Sequence, residues 1–453
     1  MAVQNVSAGF YSPFLVKALR EIGRKGTLYF FYDLWREYGD LVRIQIGRNV
    51  SYLVVHPDHV QQVNVTHRNK YDKRASFEKA RKLLLGNSLI VSTGDLWKRQ
   101  RRLLSPFFTP RGIEQYLPIF ISEAQKLCQH WERLAAQGEP IEMIEEMMRL
   151  TAAIIVRTLF GTTQESEVRR TTHDVDFLVA FLADTQIKPF SFPLWVPTKR
   201  NRLYRETRAR IHAYIDSLIA ERRALPVENY PNDMLSKLML ARDEETGAPI
   251  PDDLIREEAI TMFFAGHETT ARGLAFAWYA LASEPEVEAK LHAEIDQVLG
   301  SGTPTVETLK QLPYTLQVLK ETMRLYPPAP LYVRDVVEED RMAGQTIQAG
   351  AQIILMPYCT HRHPDFWHEP SRYDPDRFLP EQEAARHPFA FHPFAAGQRI
   401  CIGNNFALLE MHVLLSMLAA RFAPRLKRGH QVELAVGGTL QAKNGLWMHI
   451  VPR

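Results

Sequence analysis

Residues 394–403 read FAAGQRICIG, a glycine-punctuated loop that brings Cys401 to the start of a predicted helix. At a helix amino terminus, unpaired backbone N–H groups and the positive end of the dipole stabilise a negatively charged sulfur, and Arg399 adds a nearby cation. Gly397 and Gly403 allow a tight turn and the close approach of a flat ligand, which a side chain would prevent. The loop therefore favours a metal-binding thiolate, and the alternative is a buried structural cysteine.

The chain has the length and composition of a globular protein with a deep core. Its 453 residues are 45% hydrophobic and 24% charged, with a formal net charge of +3. Cys128 and Cys359 lie far from Cys401 and are predicted to be buried structural residues, which excludes a disulfide scaffold and fits a reducing cytosol. The mild charge and the lack of zinc-finger, RNP-type or helix-turn-helix motifs argue against a nucleic-acid partner.

No segment of the sequence has the pattern of a membrane anchor. The amino terminus lacks a basic segment followed by a long apolar stretch, so neither a signal peptide nor an anchor is expected there. The most apolar later stretch, residues 259–283, carries His267, Glu268 and Arg272, which would be costly within lipid. We interpret this stretch as a core helix and expect a cytoplasmic protein.

The order of the patterns predicts one α+β domain over residues 1–453 that is mainly α-helical. Residues 41–47 and 51–55 alternate like the strands of a hairpin joined at Arg48 and Asn49. Sheet-rich portions are predicted at about 35–60, 327–360 and 430–453, and helical portions at about 57–326 and 402–421. Apolar residues spaced three and four apart predict individual helices over residues 112–137, 140–160, 199–225 and 252–283.

Residue types typical of helix ends mark the start and the end of a predicted helix after residue 283. Ser283 is predicted to cap this helix, with Pro285 in its first turn and Gly300 beyond its end. Further along, residues 357–393 form a long loop rich in proline, histidine and aromatic residues, and loops of this length in compact domains are usually functional or firmly packed.

The long loop contains three histidines that deserve a separate interpretation. His361, His363 and His368 do not have the spacing of a helix-borne zinc motif. We therefore predict packing for these residues rather than a metal site.

A second motif, AGHETT at residues 265–270, lies on the predicted helix 252–283. Gly266 is poorly suited to a helix interior and predicts a local kink there. Taken alone, the motif is equally compatible with an ordinary buried helix that tolerates a glycine. His267 receives no role, because a lone histidine is more often satisfied by its neighbours than used as a ligand or base.

A third motif pairs Glu321 with Arg324, three residues apart on one predicted helix face. By itself this spacing predicts an ordinary ion pair. The segments LYPPAP at residues 325–330 and YDPDRF at residues 373–378 follow it along the chain.

Together, and in this order, the motifs resemble those of the cytochrome P-450 family. Residues 394–403 resemble its haem-binding loop, residues 265–270 its oxygen-binding helix, and residues 321–324 and 373–378 its ExxR helix and PERF-like segment. The resemblance covers nearly the whole chain and implies the P-450 fold, a large helical core with small β-sheets. Asp376 in place of glutamate and Ala395 in place of glycine depart from the family pattern without removing a ligand.

The resemblance implies a role for each motif. Cys401 would be the axial thiolate ligand of haem iron, which favours O–O cleavage. Thr269 would hydrogen-bond oxygen at the haem face while Glu268 relays protons, and Gly266 would leave room for dioxygen. Glu321, Arg324 and Arg377 would form a buried network that holds the cysteine loop. The residues implied to bind the cofactor are Cys401, Trp97, Arg101, Arg334, Arg399, Phe394, Gly397, Gly403, Ala265 and Gly266. Among them, the Trp97 indole and the three arginines would bind the haem propionates.

The implied activity is that of a haem-thiolate monooxygenase with haem b. It would insert one oxygen atom of O2 into a C–H bond of a hydrophobic small molecule, with electrons from NAD(P)H through a separate ferredoxin or flavodoxin and its reductase. The segments that the resemblance implies for the substrate pocket are the one after Tyr71 and residues 177–195, 263–265, 331–333 and 439–440. Because these segments are mostly apolar, they predict a fatty acid or a terpenoid-like substrate. Lys98, Arg99 and Arg102 are a candidate docking patch for an acidic electron donor.

Two alternatives remain open at this point. A peroxygenase or hydroperoxide-rearranging member of the same fold would typically lack the acid and alcohol that Glu268 and Thr269 provide. A non-catalytic haem sensor or carrier would need the iron ligand but neither a proton relay nor an electron donor.

Overall fold

The computed structural model describes residues 8–12, 15–162, 164–187, 192–300 and 302–453. Residues 1–7, where no leader or anchor is expected, and residues 188–191 of the predicted pocket stretch lie outside the described residues. The α-helices in the described ranges are α1 (Leu15–Tyr38), α2 (Pro57–Gln61), α3 (Arg74–Ala80), α4 (Gly94–Leu104), α5 (Pro110–Glu114), α6 (Leu117–Gln137), α7 (Met143–Phe160), α8 (Glu165–Ile187), α9 (Lys199–Arg223), α10 (Met234–Leu240), α11 (Asp252–Ser283), α12 (Pro285–Val298), α13 (Val306–Leu309), α14 (Pro313–Leu325), α15 (Pro357–Thr360), α16 (Pro380–Ala385) and α17 (Asn404–Ala419). The strands are β1 (Ala8–Tyr11), β2 (Leu41–Ile46), β3 (Asn49–Val54), β4 (Tyr71–Asp72), β5 (Ile141–Glu142), β6 (Tyr332–Val336), β7 (Asp340–Met342), β8 (Gln345–Ile347), β9 (Gln352–Leu355), β10 (Arg425–Leu426), β11 (Leu434–Val436), β12 (Leu440–Ala442) and β13 (Trp447–His449).

Helix α11 forms the centre of the helical core and has the bounds predicted from the sequence. It packs most extensively against α7 and also contacts α9, α14 and α17. Trp278 of α11 is buried against Trp131 of α6, with ring centroids 5.8 Å apart. Because α11 is covered on several sides, the residues of the motif at 265–270 are buried or half-buried.

The largest sheet is six-stranded, in the order β1-β2-β3-β9-β6-β4. The predicted hairpin is confirmed: β2 and β3 are antiparallel, with Leu41 opposite Val54 and Ile46 opposite Asn49. Strand β9 is parallel to β3 and antiparallel to β6, which places Arg334 of β6 opposite Ile353 in the sheet interior.

Two predicted helices are shorter than the apolar pattern suggested. The prediction of a single helix over residues 112–137 is wrong. Helix α5 ends at Glu114, and α6 begins at Leu117 with Pro118 in its first turn. Proline lacks a backbone N–H and suits a helix start, so a new helix begins there. The helix predicted over 140–160 begins only at Met143, because residues 141–142 pair with β13 as strand β5.

The boundary between α11 and α12 also differs from the prediction. Ser283 does not cap α12; it is the last residue of α11, and its hydroxyl donates to the carbonyl of Tyr279 at 2.8 Å. The N-cap is Glu284, whereas Pro285 in the first turn and Gly300 beyond the end lie as predicted. A serine hydroxyl can either cap the next helix or donate to a carbonyl of its own helix, and the sequence pattern does not show which of the two it does.

Within the described ranges, we find no helix that is both long and apolar enough to cross a membrane.

Candidate functional site

The cysteine loop closes on itself before helix α17 begins. A 3₁₀ turn spans Gly397–Arg399, and the backbone N–H of Cys401 donates to the carbonyl of Phe394 at 2.9 Å. Helix α17 begins at Asn404 with Gly403 as its N-cap, and a Cβ on Gly403 would lie 3.9 Å from the Cys401 sulfur. The Cys401 side chain has accessible surface although protein surrounds it, as expected in the wall of an internal site.

The protein around Cys401 acts on the thiol in opposite directions. Burial raises the pKa of the Cys401 thiol, whereas a hydrogen bond from the Gly403 backbone and the Arg101 guanidinium lower that pKa. Arg101 also donates through Nη1 to the carbonyl of Ile400 at 2.9 Å. The protein neighbours therefore offset the effect of burial only in part, and a bound metal cation would stabilise the thiolate further.

Arg399 is not the cation that acts on the sulfur, contrary to the sequence prediction. Its Nη1 donates to the carbonyl of Ser92 at 2.9 Å, and its guanidinium lies over the Trp97 ring, 3.8 Å from the centroid. The cation that lowers the pKa of Cys401 is Arg101, on α4. Closeness along the chain was a poor guide here, because Ser92 and Trp97 hold the Arg399 side chain.

Gly397 and Ala395 shape the loop through their backbone conformations. Gly397 has a φ of +65°, and a Cβ there would lie 2.1 Å from the carbonyl oxygen of Asn64. Glycine is therefore required at position 397 by its close packing against Asn64. The predicted contact of Gly397 with a flat ligand stays a prediction. Ala395 has a φ of +59°, in the left-handed region that glycine adopts without strain.

Four cations lie near one another beside the cysteine loop: Lys73, Arg101, Arg334 and Arg399. Burial, with the charges of Arg334 and Arg101, lowers the pKa of Arg399 to about 10, and the Asp72 carboxylate opposes this effect in part. Burial, with the charges of Arg399 and Arg334, lowers the pKa of Lys73 well below its usual value. Arg334 donates to Val333 and Asn64 at 2.9 and 3.3 Å, but in the described part of the chain none of the four cations forms an ion pair.

This unpaired positive cluster fits the implied cofactor. Clustered, partly desolvated cations repel one another unless anions compensate them, and a haem carries two propionate carboxylates. The thiol of Cys401 lies beside the same cluster, since its neighbour Arg101 is a member. Sequence analysis missed Lys73, because nothing in the local pattern indicates that residue 73 meets residues 334 and 399.

Thr269 and Gly266 of the α11 motif lie three residues apart on the helix and make different local contacts. The Thr269 hydroxyl donates to the carbonyl of Ala265 at 2.7 Å. A Cβ on Gly266 would lie 3.0 Å from Cδ1 of Ile155 in α7, so this glycine permits close helix packing. Helix α11 is continuous through Gly266, and the local kink there stays a prediction. A place for dioxygen at Gly266 stays a prediction.

Glu268 is held by a residue from the carboxyl-terminal hairpin. The Thr439 hydroxyl donates to Glu268 Oε1 at 2.6 Å, and Nη2 of Arg272 lies 3.4 Å from the same oxygen. The backbone N–H of Leu440 donates to the carbonyl of Pro328 at 2.9 Å. The predicted pocket segment at 439–440 therefore lies beside α11 at Glu268.

His267 is satisfied by its neighbours, in line with the absence of a predicted role. Its Nδ1 lies 3.0 Å from the carbonyl oxygen of Phe263, and its Nε2 lies 2.9 Å from Oδ1 of Asp176 on α8. Because both partners are acceptors, both contacts are hydrogen bonds when the imidazole carries two protons. The pair connects α8 to α11 beside Glu268, and no sequence pattern pointed to Asp176.

The structure places Glu321, Arg324 and Arg377 together, as the resemblance implied. Arg324 donates to both carboxylate oxygens of Glu321, at 2.6 and 2.8 Å, and Nε of Arg377 lies 3.6 Å from Glu321 Oε1. Glu321 and Arg324 are fully buried. Burial raises the pKa of Glu321, and the Arg324 guanidinium opposes this effect. The network holds the long loop, because Arg324 also donates to the carbonyls of His361, Pro370 and Arg372.

The candidate docking patch on α4 is neutralised within the chain. Each of its three cations pairs with a carboxylate: Lys98 with Asp95 at 2.9 Å, Arg99 with Asp243 at 2.7 Å and Arg102 with Glu245 at 2.7 Å. The pairs of Arg99 and Arg102 tie α4 to the segment after α10, whereas the Lys98 pair lies within α4. This neutralisation weakens the case for electron-donor docking on charge alone.

The remaining histidines and cysteines have ordinary structural surroundings. His361 accepts from the backbone N–H of His392 at 2.9 Å, and His363 lies 3.0 Å from a carboxylate oxygen of Asp40. His368 is exposed on the surface, 3.8 Å from Glu369, so the packing predicted for this residue is wrong. As predicted, Cys128 and Cys359 are buried, and burial raises the pKa of both thiols.

Comparisons with known proteins agree on one family. The family model described as Cytochrome P450 matches residues 10–446. The chain is 34% identical to the Cyclooctat-9-en-7-ol 5-monooxygenase of Streptomyces melanosporofaciens over 389 residues, which cover 86% of this chain and 83% of that protein. It is 31% identical to the Pentalenene oxygenase of Streptomyces avermitilis over 386 residues, 85% of this chain and 84% of that protein.

A solved structure shows the same architecture. The haem domain of cytochrome P450DA is similar with a TM-score of 0.89 at 26% sequence identity, and the match covers 99% of this chain and 98% of that chain. The predicted fold class, a large helical core with small β-sheets, is thereby confirmed.

Proposed function

The chain belongs to the cytochrome P450 family, and on that premise we propose that it is a haem-thiolate monooxygenase of terpenoid-like hydrocarbons. The proposed reaction converts RH, O2, NAD(P)H and H⁺ to ROH, H2O and NAD(P)⁺, with electrons carried by a ferredoxin or flavodoxin and its reductase. The observation that carries the proposal is the Cys401 thiol beside a cluster of unpaired cations.

The residues that would hold the haem follow from this cluster. Cys401 provides the sulfur ligand, and Lys73, Arg101, Arg334 and Arg399 provide positive charge for the propionates. When bound, the haem supplies the iron centre at which O2 is reduced and cleaved, a reaction that a thiolate ligand favours.

Glu268 and Thr269 of α11 are the acid and the alcohol that would pass protons to the site. Monooxygenation consumes protons at the buried site, so a positioned donor chain is required. The Thr269 hydroxyl can turn from its own helix carbonyl towards the site, and Glu268 reaches the adjacent hairpin through Thr439. We expect Thr269→Ala to form less product and release more peroxide, whereas Thr269→Ser retains product formation.

The substrate class is supported by the pocket segments and by the relatives. The segments at 263–265, 331–333 and 439–440 present mostly apolar side chains. Both bacterial relatives described above are named for oxygenation of cyclic terpenoids. A terpenoid-like substrate is therefore favoured over a fatty acid.

The proposal is tested with pentalenene and dodecanoic acid as probes. Binding is read from the ferric spin-state change, and turnover is measured under ¹⁸O2 with NADPH, a surrogate ferredoxin and its reductase. The proposal expects pentalenene to give the larger spectral change and a product that contains one ¹⁸O atom. Product formed only with hydrogen peroxide would favour a peroxygenase, and NADPH consumption that no substrate increases would favour a haem sensor or carrier.

We include a cytoplasmic location in the proposal. Its support is the state of the cysteines, since Cys128, Cys359 and Cys401 are all free thiols and free thiols are typical of a reducing compartment. Fractionation of the producing cells tests this part, and recovery with the membranes would contradict it.

A further inference from the structure

We propose that Thr439 is a positioning residue for Glu268 and controls the conformation from which that carboxylate relays protons. The inference rests on the proposed function, because it assigns a task to a residue outside the acid and alcohol pair. It follows from a contact between the carboxyl-terminal hairpin and helix α11.

The contact fixes one oxygen of the carboxylate. The Thr439 hydroxyl donates to Glu268 Oε1 at 2.6 Å, within the short range of a charge-assisted hydrogen bond. The Thr439 residue is 9% exposed and the Glu268 side chain 12% exposed, so water competes little for this bond. In the described part of the chain, Oε2 has no hydrogen-bond donor, which leaves that oxygen available to take up and pass on a proton.

The position of the Thr439 hydroxyl is set by the hairpin backbone rather than by Glu268. Gly437 donates to the carbonyl of Thr439 at 3.1 Å, and Leu440 donates to the carbonyl of Pro328 at 2.9 Å. Strands β11 and β12 pair on either side of this turn, with Val436 opposite Leu440. The backbone that carries the hydroxyl is therefore held in place, and from it the hydroxyl selects one arrangement of the longer Glu268 side chain.

Arg272 competes for the same carboxylate. It lies one turn along α11 from Glu268, and its Nη2 is 3.4 Å from Oε1, a long contact. Its Nε is buried without an acceptor among the described residues. Without the Thr439 hydroxyl, we expect Glu268 to rotate onto Arg272 and form a closer ion pair along the helix. Thr439 thus holds the carboxylate away from a neighbour that would immobilise it.

The test compares Thr439→Val with Thr439→Ser in the haem-loaded protein. Valine keeps the shape of threonine and removes the hydroxyl, whereas serine keeps the hydroxyl. We expect Thr439→Val to slow NADPH oxidation, driven by a surrogate ferredoxin and its reductase, about tenfold and to increase its solvent deuterium isotope effect. Thr439→Ser is expected to stay within about twofold of the wild type.

A second readout does not depend on turnover. The infrared band of the Glu268 carboxylate, identified by its loss in Glu268→Gln, is expected to shift in Thr439→Val and to return towards its original position in Thr439→Val/Arg272→Met. The double variant should also recover NADPH oxidation, because the competing guanidinium is gone. Damage to the fold alone would not be repaired by a second core substitution.

Three results would overturn the inference: an unchanged rate and isotope effect in Thr439→Val, a serine variant as slow as the valine variant, or no recovery on removal of Arg272. Failure of the proposed function has a different signature. It would show as NADPH oxidation that does not require haem, while the infrared comparison would still report whether Thr439 holds Glu268.

Discussion

Replacing Arg324 with methionine removes the centre of the buried network that holds the long loop of residues 357–393. Arg324 makes two hydrogen bonds to the Glu321 carboxylate and three to the backbone carbonyls of His361, Pro370 and Arg372. Leaving a buried charge without its partner costs about 3 to 5 kcal/mol, and each orphaned carbonyl adds about 1 kcal/mol. The expected loss is about 6 to 8 kcal/mol, comparable with the whole stability of many domains.

Denaturant unfolding and haem content measure this loss. Arg324→Met should retain little haem, judged by the ratio of Soret to protein absorbance, and should unfold at a much lower denaturant concentration. Arg324→Lys should also be impaired, because an ammonium cannot reproduce the two-pronged contact. Lys310→Met is the matched control: Lys310 pairs with Glu307 three residues away, but both side chains are exposed, so a far smaller change is expected. Wild-type haem content and stability in Arg324→Met would refute the reasoning.

Further predictions concern the cations, a buried carboxyl and the loop backbone. Lys73→Met should stabilise the haem-free protein, because it removes a cation beside Arg399. The same variant should transfer its haem to apomyoglobin about tenfold faster. The control variant Lys79→Met, on the adjoining helix, should show neither effect. Burial raises the pKa of Glu258 to about 8, so the folded protein holds this proton over a range in which the unfolded chain has released it. The contribution of Glu258 to the free energy of unfolding should therefore fall as pH rises from 5 to 8, so Glu258→Gln should gain stability relative to the wild type over that range; a constant difference would contradict this. Ala395→Gly should raise stability by up to about 1 kcal/mol, since it relieves a positive φ, and a destabilised variant would argue against strain there.

Features that depend on local spacing could be predicted from the sequence. Helix α11 has its predicted bounds because one long apolar pattern decides it. Glu321 and Arg324 are three residues apart, so the helix itself brings them together. The hairpin of β2 and β3 likewise depends on alternation over a few residues.

Features that depend on packing between distant segments could not be predicted. Lys73 meets Arg334 and Arg399 only in the folded chain, and Thr439 reaches Glu268 across 171 positions of sequence. The choice of Arg399 as the cation beside the sulfur failed for the same reason, because Arg101 approaches from another helix. Local pattern identifies candidate residues, while the tertiary fold decides which of them act together.

The central claim, that Cys401 is the ligand of haem iron, is tested most directly by the absorption spectrum of the reduced protein with carbon monoxide. Cys401→Ser is compared with Cys359→Ser, which changes a buried thiol far along the chain. The account predicts a strongly red-shifted Soret band in the wild type and in Cys359→Ser, and its loss in Cys401→Ser. A red-shifted band that persists in Cys401→Ser, or a wild-type protein that binds no haem, would contradict the account.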